Sequence, residues 1–155
     1  MDSLKLELQR ADVIGRIERD PLLLGSEWVT CLGPHWRDLL KHGRAKRAGA
    51  HAVIFQQGDE GDSLCLLLSG TVLLFARRDA DTVELGIAHA SDVIGEGARG
   101  ERRWCSAVAS GPVEFVEVDR SLLGPGDPKL EAFLERLHAD RRRVLDDMAD
   151  FVNRW

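Results

Sequence analysis

Between about residues 44 and 118 the chain is divided into short apolar segments separated by polar turns. Six segments stand out in this region: AVIF, SLCLLLSG, TVLLFARR, TVELGIA, WCSAVAS and VEFVEVD. The intervening QGDEGD, RDAD and SGP consist mainly of turn-forming residues. Apolar runs of about 4 to 8 residues are typical of strands, and many of them in succession predict a β-sandwich, a jelly roll or a small barrel. VEFVEV also alternates apolar and acidic residues, which predicts that one face of its strand meets solvent.

Helical segments flank the strand region on both sides. Before it, residues 4–19 carry apolar side chains at helical spacing, and Pro21 predicts the end of that helix. A second helical piece, GPHWRDLLKHG, is bounded by Gly33 and Gly43. We therefore expect an N-terminal helical segment (1–43), a strand region (44–120) and a C-terminal helix or helices (127–155).

The C-terminal segment carries a long apolar stripe. Asp127 suits the N-cap of a helix, and Pro128 suits its first position. The stripe follows helical spacing to the last residue, with Arg141 as its one polar member: Leu130, Leu134, Leu137, Arg141, Val144, Met148, Phe151 and Trp155. A break near HADRRR would divide it into a docking part and a protruding part. Two alternatives stay open: one amphipathic helix that covers the core, or an interaction stripe for dimerisation or partner binding formed by Leu137, Val144, Met148, Phe151 and Trp155.

Composition narrows the possible partners. The chain has 155 residues and a formal net charge of -5, which argues against a surface built to bind nucleic acid. No apolar run approaches the roughly 20 residues of a membrane span. The start, MDSLKLELQRADVIGRIERD, is too charged for a secretory signal. We expect a cytoplasmic protein that binds neither nucleic acid nor membrane.

Cysteines and histidines do not have the spacing of a metal site. Cys31, Cys65 and Cys105 lack the close spacing of zinc ligands, and the last two lie in predicted strands as small buried thiols. Three histidines are scattered over a predicted turn, a strand end and a helix: His51, His89 and His138. We interpret these histidines as surface or packing residues and expect no metal cofactor.

The segment DVIGEGARGERRWCSAVAS, residues 92–110, has the residues of an anion-binding site. Two glycines surround a carboxylate, and a group of arginines follows. The amino end of a helix presents unpaired N–H groups to an anion, and an arginine can complete the site with charge-assisted hydrogen bonds. This segment is therefore the candidate binding site.

The order IFQQGDEGDSLCLLLSGTV, DVIGEGA and RWCSAVAS resembles the cyclic nucleotide-binding domain. This domain is shared by the catabolite activator protein, the regulatory subunits of cAMP-dependent kinase and cyclic nucleotide-gated channels. The resemblance covers roughly residues 35–150 and implies an α+β fold. That fold is a β-roll, or jelly roll, of about eight short antiparallel strands. It also has N-terminal helices, a short phosphate-cassette helix and C-terminal helices.

The resemblance also implies which residues bind a ligand, in a phosphate-binding cassette near residues 95–106. Gly95 and Glu96 match the pair that binds the ribose, with the carboxylate accepting from the 2'-hydroxyl. Arg103 matches the phosphate-binding arginine, although Arg99 and Arg102 stay open as alternatives. Trp104 either blocks the pocket, stacks on a purine, or packs as an ordinary strand residue. The implied ligand-binding set is Gly95, Glu96, Gly97, Ala98, Arg103, Trp104, Cys105 and Ser106.

These residues favour regulation over catalysis. The strands carry no histidine cluster of a cupin metalloenzyme, and the chain has no P-loop or nucleophile elbow. We expect a non-enzymatic, stand-alone sensor of cAMP or cGMP that signals to a separate, unidentified protein effector through its C-terminal helices. The alternative is a degenerate fold that binds no nucleotide and acts as a protein-interaction or homodimerisation module. The sequence leaves the preference between cAMP and cGMP open.

Overall fold

The protein is described by a computed structural model that covers residues 5–7, 10–97, 100–123 and 128–153. Side chains are described for residues 13–97, 100–123 and 128–147. The helices are α1 (Arg10–Arg19), α2 (Pro21–Leu24), α3 (Glu27–Leu32), α4 (Trp36–Lys41) and α5 (Pro128–Asn153). Two 3₁₀ turns, Gly33–His35 and Arg120–Leu123, precede α4 and α5. Pro21 ends α1 as predicted, because the chain restarts there as α2, with Asp20 accepting from the Leu22 amide at 2.9 Å.

Nine strands in two sheets form the centre of the described structure. They are β1 (Lys5–Glu7), β2 (Arg44–Ala48), β3 (Val53–Phe55), β4 (Ser63–Ser69), β5 (Val72–Arg78), β6 (Asp81–Ala88), β7 (Val93–Ile94), β8 (Ser106–Ala109) and β9 (Val113–Asp119). One sheet has the order β1-β2-β9-β4-β7 and the other β3-β8-β5-β6, and every pairing is antiparallel. The predicted α+β roll is thus confirmed.

Six of these strands coincide with the six apolar runs of the sequence. The other three, β1, β2 and β7, were not predicted. β2 has the sequence RAKRA and β7 is only two residues long, so neither carries an apolar run that periodicity can detect.

Strand β4 of the five-stranded sheet is buried on both faces, and this arrangement separates two cores. Within β4, Leu66 and Leu67 are adjacent and both 0% exposed. Leu67 packs between the two sheets, whereas Leu66 packs against the helices. Because adjacent strand residues point to opposite faces, both faces of β4 are covered.

The predicted solvent face of VEFVEV is wrong, because Glu114 and Glu117 are three positions apart and therefore lie on opposite faces of β9. Phe115 lies in the core between the sheets and is 0% exposed, while Val116 packs under the helices and is 1% exposed. The two glutamates are only half-buried, and each forms an ion pair: Glu114 with Arg16 at 2.9 Å, and Glu117 with Lys46 at 3.4 Å. The acidic residues thus occupy the partly exposed positions of β9, where basic side chains can reach them.

Helix α5 is continuous over its 26 residues, so of the two possibilities left open the segment forms one helix without a break near HADRRR. Pro128 is its first residue, as predicted, whereas the proposed N-cap Asp127 lies outside the described residues. Its first turns pack on the helix-side core through Leu130 and Leu134, each 1% exposed. Leu145, further along, reaches the core between the two sheets.

The interaction stripe stays a prediction. Leu137 packs against the helix-side core, and Val144 is 37% exposed. The side chains of Met148 and Phe151 are not described, and Trp155 lies outside the described residues. Over the part of the chain that the structure covers, helices are too short or too polar to cross a membrane.

We predict that Leu66→Ala and Leu67→Ala each lower the free energy of unfolding by about 2 to 5 kcal/mol, because each leaves a cavity in a different core. Ile87→Ala is the matched control, since Ile87 is 53% exposed; we expect a change within about 0.5 kcal/mol. Urea denaturation followed by circular dichroism measures all three. A mild effect at either leucine would contradict burial of both faces.

Candidate ligand-binding site

The predicted cassette is a loop that connects β7 to β8. Its described residues, 95–97 and 100–105, form no helix. Gly95 and Gly100 have φ angles of 93° and 76°, outside the helical region and strained for other residues. The short cassette helix that the resemblance implies is therefore not found in the described part of this loop, and Ala98 and Arg99 lie outside it. A binding site here depends on side chains rather than on a helix terminus.

Glu96 is the centre of the site. Its side chain is only 1% exposed, and three side chains contact its carboxylate. Arg141 Nη1 donates to Oε1, and Trp104 Nε1 donates to Oε2 at 3.0 Å. His138 Nδ1 lies 3.4 Å from Oε2. The acceptor that the resemblance assigns to a ribose hydroxyl is thus occupied by the protein's own donors.

Two of these contacts come from α5, so the candidate site is closed by the C-terminal helix. Arg141 and His138 both lie on this helix, with side chains 12% and 35% exposed. Arg141 is the residue that interrupts the apolar stripe, and its partner Glu96 explains the interruption. An ion pair removed from water in this way is strongly destabilised when one partner is lost.

Trp104 fills the space where a ligand would lie. Its Nε1 also approaches the Glu96 carbonyl oxygen at 3.1 Å, and its ring meets that of His138 edge-on at 5.0 Å between centroids. The Arg142 guanidinium lies 5.8 Å from the ring centroid. The cavity left beside the tryptophan has a volume of only about 10 Å³, about enough for one water molecule. In this structure the Trp104 ring is engaged by Glu96 and His138, and the three roles considered for it toward a ligand stay predictions.

The two candidate arginines described, Arg102 and Arg103, both line the small cavity, and Arg103 is also hydrogen-bonded to the loop. Arg103 Nη1 donates to the carbonyl oxygens of Ser63 at 2.9 Å and Gly95 at 3.1 Å, and Nη2 donates to Ser63 Oγ at 3.0 Å. Its guanidinium also lies 4.5 Å from the centroid of the Phe55 ring. Arg102 is exposed and bonds to the Gly58 carbonyl at 2.9 Å. Of these two, Arg103 is therefore the arginine that contacts the loop, and its role toward a ligand stays a prediction.

The two small residues after Trp104 are buried. Burial and then the Glu96 carboxylate raise the pKa of the Cys105 thiol from 9.0 to about 12, which keeps it protonated and unreactive at neutral pH. Ser106 Oγ accepts from the Gln57 amide at 2.8 Å and so anchors the loop after β3. Both residues support the wall of the site in this structure.

Besides Arg141, which the sequence marks only as the polar member of the apolar stripe, three residues of the site were not predicted from the sequence: Arg120, His138 and Arg142. Arg120 is 5% exposed, and its Nη1 donates to the Gly97 carbonyl. His138 was interpreted as a surface or packing residue, yet it touches Glu96. Local sequence contains no signal for any of them, because each reaches the loop from a distant segment. Over the described residues, no group of three or more histidine, cysteine or acidic side chains could hold a metal.

Comparisons with known proteins agree with the fold described above. The family model of the cyclic nucleotide-binding domain matches residues 45–124, just over half of the chain. No curated protein sequence matches the chain.

Three solved structures illustrate the likeness of fold. A cyclic nucleotide-binding domain from Methylobacillus flagellatus KT is 21% identical with a TM-score of 0.65, covering 97% of this chain and 85% of that one. The sensor domain of the transcriptional regulator DNR from Pseudomonas aeruginosa is 17% identical with a TM-score of 0.66, covering 85% and 94%. The regulatory domain of Toxoplasma gondii PKA, solved with cAMP, is 17% identical with a TM-score of 0.71, covering 86% and 53%. At these identities the likeness concerns the fold.

We predict that Glu96→Gln lowers the free energy of unfolding by about 3 kcal/mol, because it leaves Arg141 without a charged partner in a buried site. Glu60→Gln is the control, since its ion pair with Arg102 is largely exposed; we expect a change within about 0.5 kcal/mol. Thermal and urea unfolding measure both variants. Equal effects of the two substitutions would contradict a special contribution of Glu96.

Proposed function

Because the chain belongs to the cyclic nucleotide-binding domain family, we propose that it senses cAMP or cGMP by a competition between the nucleotide and helix α5 for Glu96. The observation that supports this proposal is the set of contacts around that carboxylate. Two of its three side-chain partners, Arg141 and His138, belong to α5. A ligand that takes Glu96 therefore removes contacts that hold the helix on the loop.

Each binding group has a partner that the nucleotide can replace. The ribose 2'-hydroxyl would donate to Glu96 in place of Arg141 or Trp104. The cyclic phosphate would accept from Arg103, which now donates to the neutral oxygens of Ser63 and Gly95. A hydrogen bond to a phosphate is charge-assisted and stronger than one to a carbonyl, so this exchange favours the ligand.

The closed site requires a movement before the nucleotide fits. A cavity of about 10 Å³ is far smaller than the roughly 300 Å³ or more of ordinary small-molecule sites. Trp104 must leave Glu96, and α5 must loosen. A ligand shifts the equilibrium between the closed site and an open site only if it binds the open site more tightly. We therefore expect association slower than that of a preformed pocket.

Helix α5 is the element that would carry the signal. It packs on both cores, and its middle is attached to the loop through Glu96. Loosening that attachment would change which side chains of the helix are accessible to a separate protein effector. The regulatory domain solved with cAMP supports this ligand class, and the sensor domain of a transcriptional regulator supports a regulatory, non-catalytic role. A cytoplasmic location is part of the same proposal.

A second candidate is a ligand-independent interaction module. The specific observation that favours it is the occupancy of the site: Trp104 fills it, and Glu96 and Arg103 are fully engaged within the protein. On this proposal the contacts around Glu96 are permanent, and α5 presents its interaction stripe to a partner or a second copy in every state.

We predict saturable binding of cAMP or cGMP by isothermal titration, with 5'-AMP as the control nucleotide. Arg103→Ala should weaken binding about tenfold to a hundredfold, the loss expected for a charged hydrogen bond. Arg141→Met should tighten binding, because the competitor for Glu96 is removed. Arg143→Ala is the matched control on the same helix, since Arg143 is 70% exposed and its ion pair is with Asp140. The affinity of this variant for the nucleotide should equal that of the wild type.

If the wild type gives no heat of binding and no shift in melting temperature at millimolar nucleotide, the sensor proposal is rejected. Weaker binding by Arg141→Met would reject the competition while leaving nucleotide binding intact.

The interaction module predicts a different result. The wild type should form an oligomer in light scattering with no nucleotide present, and Val144→Asp should lower its mass, because Val144 is an exposed apolar residue of the stripe. Arg143→Asp places the same charge on the neighbouring exposed position and serves as the control. A monomer in all three samples would contradict self-association through this stripe.

A further inference from the structure

Arg120 is the most deeply buried arginine around the candidate site. It begins the 3₁₀ turn that follows β9 and is 5% exposed. Its main-chain N–H donates to the Asp62 carbonyl at 3.0 Å, which fixes the turn beside the start of β4. Its side chain extends from there toward the ligand loop.

The Arg120 guanidinium joins the loop to the beginning of α5. Nη1 donates to the Gly97 carbonyl, and Nη2 lies 3.7 Å from Glu131 Oε2 in the first turn of the helix. Gly97 directly follows Glu96, so this contact acts on the backbone that places the central carboxylate. The loop and α5 are therefore connected twice: through Glu96 and Arg141 at the side chains, and through Arg120 at the backbone.

Stability alone does not explain an arginine at this position. Its Nε is buried and has no hydrogen-bond partner in the described structure. The Glu131 carboxylate lies beyond the distance of a good hydrogen bond, and the other acceptor is a neutral carbonyl. Buried charges with incomplete partners are often no more stable than apolar residues of similar volume. We attribute the role of Arg120 to its planar, branched guanidinium, which fixes the position of the ligand loop relative to the start of α5.

We propose that Arg120 is a positioning residue: it holds the Gly95–Glu96–Gly97 backbone in place and transmits the position of this loop to the first turns of α5. The inference deepens the proposed function, because it adds a second connection between the ligand loop and the signalling helix. Only the regulatory role of this second connection rests on the proposed function. The positioning itself is measurable without any nucleotide.

Trp104 provides the spectroscopic signal for the test. Its indole N–H donates to both the main chain and the side chain of Glu96, so its environment reports the position of the loop. Fluorotryptophan labelling gives a ¹⁹F signal for each of the four tryptophans. A Trp104→Phe variant identifies the signal of interest.

Three variants separate positioning from general stabilisation. Arg120→Met removes the guanidinium but keeps an unbranched side chain. Glu131→Gln weakens the contact of Arg120 with α5 but keeps the guanidinium and its bond to Gly97, and it serves as the milder variant if Arg120→Met does not fold. Arg136→Gln is the matched control: it removes an ion pair of α5 with Glu27 on α3 that does not involve the loop.

We expect Arg120→Met and Glu131→Gln to shift the Trp104 ¹⁹F signal and to accelerate amide hydrogen exchange in the first turns of α5. Arg136→Gln should leave the Trp104 signal unchanged. An unchanged Trp104 signal in the folded Arg120→Met and Glu131→Gln variants would overturn the proposal, even if their melting temperatures fall.

Nucleotide titration of the same variants keeps the two proposals distinct. Where the wild type binds, Arg120→Met should weaken affinity at least tenfold, and a wild-type affinity in that variant would overturn the role of Arg120 in the site. Where the wild type binds nothing, the sensor proposal fails, and the Trp104 signal alone decides the positioning role.

Discussion

The buried carboxylate of Glu96 is the interaction on which the arrangement of the site depends. A charge that is 1% exposed is tolerated only with close partners, and Arg141, Trp104 and His138 supply them. Those partners come from two different segments, the loop before β8 and the helix α5. One desolvated charge therefore holds together a loop without regular structure and a helix that is distant in sequence. Any ligand that recognises Glu96 must act on both.

Burial of both faces of the central sheet makes this contact possible. Strands β4 and β9 are covered on one side by the second sheet and on the other side by helices. Helix α5 contacts both of the resulting cores, first the helix-side core and then the core between the sheets. Its continuity over 26 residues carries Leu145 to the opposite core. Arg141 lies between these two apolar anchors, which explains why a guanidinium interrupts the stripe at that turn.

Much of the fold was predictable, because strand formation depends on local patterns. All six apolar runs became strands, and Pro21 and Pro128 mark helix boundaries as expected. Two expectations differed from the structure. The glutamates of VEFVEV are three positions apart and lie on opposite faces of a strand that is covered on both sides, and the polar HADRRR continues a helix in which Arg141 pairs with Glu96. At the site, position along the chain identified Glu96, Arg103 and Trp104. Arg120, His138 and Arg142 could not be found in this way, since nothing in a local window shows what a distant side chain will face.

The sequence by itself determined the class of fold and the segment that forms the candidate site, because periodicity, turn residues and the GEG…RRW pattern are properties of short stretches of chain. Only the tertiary structure decided the state of that site. Whether α5 closes over Glu96 and how Arg103 is held beside Ser63 depend on contacts between residues 40 or more positions apart. Such contacts form when burial removes charges from water and forces each to find a partner, a requirement that no local pattern records.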